Sequence, residues 1–223
     1  MTAASTIRPL PVPRWQLLAL FLRTRGMLTS TFLVLASAGL LWFLEDWAGR
    51  GAIRQALLMQ LVPVLTAALI GVSAWSPFGE YERTAARSLP ALRGAHIGSM
   101  LVVSVGLSVW LVSRWDDLAP KIDLEAVVAR NIIGFAGVAL VVGRLIDARL
   151  SWIAPLVMGI LASSYVLSVG ESDLDLMWGP DRWIWNGQSS DSMSAWTIAL
   201  LLGFGGFGWM CRSGPKDASG EEA

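Results

Sequence analysis

The chain has 223 residues, 54% hydrophobic and only 15% charged, with a mean hydropathy of +0.56. A soluble domain carries about 25% charged residues, so the composition points away from a soluble fold and towards a polytopic membrane protein. Net charge is zero, which gives no bulk electrostatic case for nucleic acid, and the single cysteine, Cys211, excludes an intramolecular disulfide.

In chain order, residues 1–13 read as a mobile cytoplasmic tail rich in proline. The segment Arg14–Arg25, RWQLLALFLRTR, is too short to span and has arginine at both ends. It reads as an interfacial helix with Trp15, Leu18 and Phe21 towards lipid, the alternative being an extension of the first span. The N-terminus lacks a clear cleavage site, so the first span is expected to be retained. Spans are predicted over Met27–Leu44, Gln55–Trp75, Ile97–Ser113, Ala126–Leu145, Leu150–Val169 and Ala195–Met210. Each is near the roughly 20 residues that a membrane helix needs. The expected fold is therefore an all-α membrane protein. It has six transmembrane helices after the N-terminal interfacial helix, in one domain over 14–212, with a cytoplasmic tail over 213–223.

With the N-terminus inside, 11 of the 17 Lys and Arg residues fall in inner segments and 6 in outer ones. That bias supports both termini in the cytoplasm. Together with the apolar spans it is what a multi-pass cell-membrane protein is expected to show.

Two polar inserts stand out. The first, Ser76–His96, opens with a Ser-Pro-Phe-Gly turn, carries Glu80, Glu82, Arg83, Thr84 and Arg87, is broken by Pro90 and ends with Arg93 and His96. Glu80 and Arg83, then Arg83 and Arg87, share a helical face. The segment is either a docking helix for a soluble subunit or a solvated inside loop. The second insert, residues 171–194, is part-apolar. Leu174 and Trp178 precede a Gly179-Pro180 turn, and Trp183 and Trp185 follow it. It either re-enters the outer leaflet as two short helices or is a loop. Both readings put its tryptophans in the aromatic belt.

Within the spans, Arg130 and Asn131 are the clearest polar candidates, with Gln60 and Thr66 milder ones. Arg130 has two open roles, lining a cavity or snorkelling to the nearby outer surface. Pairs of small residues four apart, among them Ala67/Gly71, Ala139/Gly143 and Ala199/Gly203, suit close helix packing in lipid. The run of glycines from Gly203 to Gly208 suits packing or a dimer seam.

No P-loop is present, so the chain is not expected to bind nucleotide that way. His96 is the only histidine, which excludes H-E-x-x-H and a multi-histidine metal site. Asp173 and Asp175 lack the other ligands of an EF-hand. No catalytic set, cofactor site or metal site is expected in this chain.

The arrangement resembles the membrane subunit of a type 2 ABC exporter (the ABC-2 permease family), in the short bacterial form whose ATPase is a separate chain. The resemblance covers most of the chain and rests on layout. Its parts are the pre-helix Arg14–Arg25, the charged run E-x-E-R-T-x-x-R-x-L-P at 80–90, six spans, and the part-apolar segment between spans five and six. It implies that Glu80, Glu82, Arg83, Thr84, Arg87 and Arg93 belong to a loop that docks on a P-loop ATPase. ATP and Mg would sit on that partner. It also implies pairing with a second membrane subunit, and an amphipathic or apolar substrate such as a drug, a peptide antibiotic or a lipid-like molecule. Two alternatives come from other classes. A polytopic scaffold or signalling subunit would use the same loop for another partner. An intramembrane enzyme would need a polar cluster at one depth in the bundle.

Overall fold

The computed structural model describes residues 52–75, 89–113, 123–169, 185–188 and 190–214, together with Phe32, Leu35, Ala36 and Gly39. Side chains are described in the same ranges except at 52–59, Leu89 and 163–169. Five α-helices carry the described fold: α1 Ala52–Ser73, α2 Leu89–Val112, α3 Leu124–Leu145, α4 Ile153–Val169 and α5 Met193–Ser213. Short 3-10 turns at Ala148–Leu150 and Trp185–Gly187 precede α4 and α5. The described residues include no strand. Three helices are long and apolar enough to cross a membrane, Pro90–Val112, Leu124–Leu145 and Met193–Ser213; Gln60–Ser73 and Ala148–Ala162 are shorter apolar helices. The interfacial segment at 14–25 lies outside the described residues. Of the first predicted span, the four residues described are helical and exposed.

Helix boundaries follow local chemistry. Asp123 caps α3 by accepting from the Ala126 backbone N–H at 3.0 Å, and Ser192 caps α5 through the Ala195 N–H. Such caps satisfy donors that the first turn leaves unpaired. α5 stops at Gly214, whose φ of 72° and ψ of 177° suit a residue without a Cβ. Pro90 lies where a helix begins. It sits in the first turn of α2, where a missing N–H costs nothing. α2 therefore starts eight residues before the expected third span, and Arg93 and His96 belong to a helix rather than a loop. Helix α4, which matches the expected fifth span, starts three residues later than expected, after the 3-10 turn. There Asp147 caps by accepting from the Arg149 N–H at 2.8 Å.

Helix α3 is the central element and touches each of the other four. Two thirds of its apolar stretch (67%) is buried, against 39% for α2 and 22% for α5. In lipid the approach of helices gains little from hydrophobicity and depends on tight packing, which small residues permit. Here the glycines are placed for that purpose. A Cβ on Gly137 would collide with the Leu202 backbone, and one on Gly206 would lie 2.5 Å from the Gly137 carbonyl oxygen. α5 turns Ala195, Ala199, Gly203, Gly206 and Met210 inward, and the 4-4-3-4 spacing is one helical face. Gly205 and Gly208 have open space where a Cβ would be, beside exposed Leu201 and Phe204. The glycine run thus divides into a packing face and an outer face.

Successive helices run antiparallel. The C-terminal ends of α1, α3 and α5 gather with the starts of α2 and α4: Gly71 meets Ser151, Gly143 meets Met210, and Gly94 meets Cys211. This is the Arg93 end. Gln60, Arg130, Trp185 and Ser192 gather at the opposite, Trp185 end.

Candidate functional site: a buried polar cage

Three residues expected only as separate polar candidates, Gln60, Arg130 and Asn131, come together at the Trp185 end. α1 supplies Gln60 and the first half of α3 supplies Arg130 and Asn131; all three are buried. They converge on the turn Trp185–Gln188. Gln60 Nε2 donates to the Asn186 carbonyl at 3.3 Å, and Asn131 Nδ2 donates to the same oxygen at 3.0 Å. Asn186 Nδ2 returns a bond to Gln60 Oε1 at 3.0 Å. Arg130 Nη2 donates to the Gln188 carbonyl at 2.8 Å, and its Nε to Asn131 Oδ1 at 3.4 Å. The Ser192 and Ser194 hydroxyls both donate to Gln188 Oε1, the latter at 2.9 Å.

Three of the cage bonds run from bundle side chains to carbonyls of the turn, and the other four join side chain to side chain. Arg130 does not snorkel. It is 0% exposed and points its donors inward to oxygen dipoles. The reason is local: the Gln188 and Asn131 oxygens are within its reach, and burying a cation is tolerable when such groups surround it. Trp185 is held by protein contacts. Its ring is buried, 5.1 Å from the Phe135 ring and tilted by 55°, in a notch that exists because residue 134 is glycine.

At the Arg93 end, Arg93 is buried with its guanidinium against Gly214: a Cβ there would lie 2.6 Å from Nη1. His96 is buried one turn further along α2. Arg149 stacks 4.5 Å from the centre of the Trp75 ring, a cation–π contact. Asp147 is engaged in capping, through the Arg149 N–H.

Of the docking-loop residues, Arg93 alone is described; Glu80, Glu82, Arg83, Thr84 and Arg87 lie outside the described residues, as do Leu174, Trp178 and Trp183. Sequence reading missed Asn186 and Gln188. Their signal was the Asn-Gly-Gln run directly after Trp185, where amides follow a side chain bound for the interior. Among the described residues no three His, Cys, Asp or Glu side chains group to hold a metal ion. The cage offers amide and guanidinium donors with amide and carbonyl acceptors, a chemistry that holds or orients polar groups. No protein-family, curated-protein or solved-structure comparison matches the chain.

Proposed function

We propose that the chain is the membrane subunit of an ATP-driven exporter of the ABC-2 type. In this reading it has six spans, an interfacial helix and both termini in the cytoplasm of a bacterial cell, and it pairs with a second membrane subunit. A separate P-loop ATPase docks on the loop through Glu80, Glu82, Arg83, Thr84 and Arg87. The Arg93 end is the cytoplasmic one. Arg93, Arg144, Arg149 and Arg212 all lie near it, as the positive-inside bias requires.

One observation carries the reading. The helix that leaves the charged loop is anchored in its first turns to the end of the last span. Arg93 lies against Gly214, and Gly94 and Gly98 face Cys211 and Phe207. A push on the loop would reach α2 and α5 together, and α5 is packed along α3 through Gly137 and Gly206. That is the mechanical connection a coupling loop needs. Few fixed charges lie within the described spans, which favours an amphipathic or apolar substrate.

The test is affinity purification of the tagged protein in mild detergent, with mass spectrometry of what accompanies it. The expected result is a P-loop ATPase that is lost on reversing Glu82 and Arg83 (Glu82→Arg with Arg83→Glu). Recovery of the protein alone, or with a partner that binds no nucleotide, overturns the exporter reading in favour of a scaffold or signalling subunit.

A further inference from the structure

We infer that Trp185–Gln188 is a strap that lifts from and re-seats on its end of the bundle, with Gln60, Arg130 and Asn131 as the latch. The strap has almost no structure of its own. Its one described internal backbone bond, Gln188 N–H to the Trp185 carbonyl, is long at 3.4 Å. It is held from outside by three side chains on two helices, which donate to the Asn186 and Gln188 carbonyls, and by the Ser192 and Ser194 hydroxyls at the start of α5, which donate to Gln188 Oε1. Bonds of this kind exchange readily for water when the turn lifts, since each donor and acceptor is satisfied equally well by solvent.

The seated state also carries an unfavourable term that lifting removes. Asn186 Oδ1 is buried without a hydrogen-bond partner, which leaves a desolvated acceptor unpaid. Arg130, at 0% exposure, is held by carbonyl and amide oxygens that water would replace on lifting. Against these stand the Trp185–Phe135 contact and the ring's fit over Gly134. Packing that favours the seat, opposed by polar groups that favour release, is how an element with two states is built. The strap regulates access to the Trp185 end. That it is the outer door of an export path rests on the orientation and function proposed above; the movement itself does not.

The test uses full-length protein in cells with Cys211→Ala and one reporter, Ala195→Cys. Ala195 is 0% exposed and belongs to the buried cluster that includes Trp185 and Phe135. A second reporter, Ala199→Cys, is equally buried one turn deeper. Each is treated with a membrane-impermeant maleimide, from outside intact cells and on inside-out vesicles. The expected result is slow modification at 195 and none at 199. Arg130→Gln should accelerate the reaction at 195 at least ten-fold. Gly134→Ala should do the same with every latch residue intact, because the new methyl group displaces the Trp185 ring. The strap is overturned if 195 stays unreactive in all three backgrounds while the denatured protein reacts fully. It is also overturned if 195 and 199 accelerate together, which reports a loosened bundle. Reaction at 195 only in inside-out vesicles supports the strap and overturns the proposed orientation.

Discussion

At the Arg93 end, a Cβ on Gly71 would lie 2.6 Å from Ser151 Oγ and 2.9 Å from Ala139 Cβ, atoms on short side chains near the backbone of neighbouring elements. At the Trp185 end, a Cβ on Gly134 would meet a single ring carried on a short turn. Both glycines permit close approach, yet the partner at Gly71 cannot retreat and the partner at Gly134 can. One end of the bundle is welded through short contacts, with Ser151 Oγ itself tied to the Ala148 carbonyl at 2.7 Å. The other is fastened through long side chains that bond to a turn. A connection meant to transmit force belongs at the first end, and a movable closure at the second.

The largest effect expected from breaking this contrast is at Gly71. Gly71→Val should destabilise the protein by about 3 kcal/mol, since overpacking against fixed atoms forces backbone shifts. Unfolding of purified protein in detergent, followed by tryptophan fluorescence, measures it. In the same assay Gly134→Ala should cost less than about 1 kcal/mol, because the strap yields instead. Equal losses at the two positions would remove the distinction between the ends.

Next in size is Gly214→Ala. The backbone there has φ 72° and ψ 177°, a region essentially reserved for glycine, and occupying it with a side chain costs about 1–3 kcal/mol. The methyl group would also press on the Arg93 guanidinium. The midpoint of unfolding should fall accordingly, and co-purification of the proposed ATPase should weaken with it, because α2 loses its anchor. The smallest effect is at Arg149. Arg149→Gln removes the cation over Trp75 and should cost about 0.5–1 kcal/mol, read as a small midpoint shift that vanishes in a Trp75→Leu background.

The helical, membrane-type character of the fold was legible from the length and apolarity of the segments now seen as α2, α3 and α5. The limits of the apolar blocks located them to within a few residues except at the start of α2. There Pro90 and the polar residues Arg93 and His96 looked like loop, but they fit the first turns of a helix whose neighbours bury them. The Ala139/Gly143 and Ala199/Gly203 spacings correctly marked packing faces. Much of the cage was legible as residue types, since Gln60, Arg130 and Asn131 were conspicuous in apolar surroundings. Their convergence was not, because it depends on crossing geometry between α1 and α3 and on a turn that follows much later in the chain. Nothing in a one-dimensional pattern states that Asn186 lies beside Gln60, 126 positions away. The protein contacts of Trp185 were hidden for a similar reason: they depend on a glycine notch at position 134 that no local pattern pairs with residue 185.

The distance along the chain between Arg130 and its acceptor has a consequence for biogenesis. The Gln188 carbonyl that Arg130 holds lies 58 residues downstream, and the Asn186 carbonyl that Asn131 holds lies 55 downstream. At about 5–20 residues per second, the ordinary speed of synthesis, α3 is made roughly 3–12 seconds before these bonds can form. During that interval a helix with a cation and an amide in its first half must wait beside the insertion machinery or draw in water. The newborn chain is therefore most exposed to quality control after its third described helix, and it leaves that state only once the turn and α5 have been made.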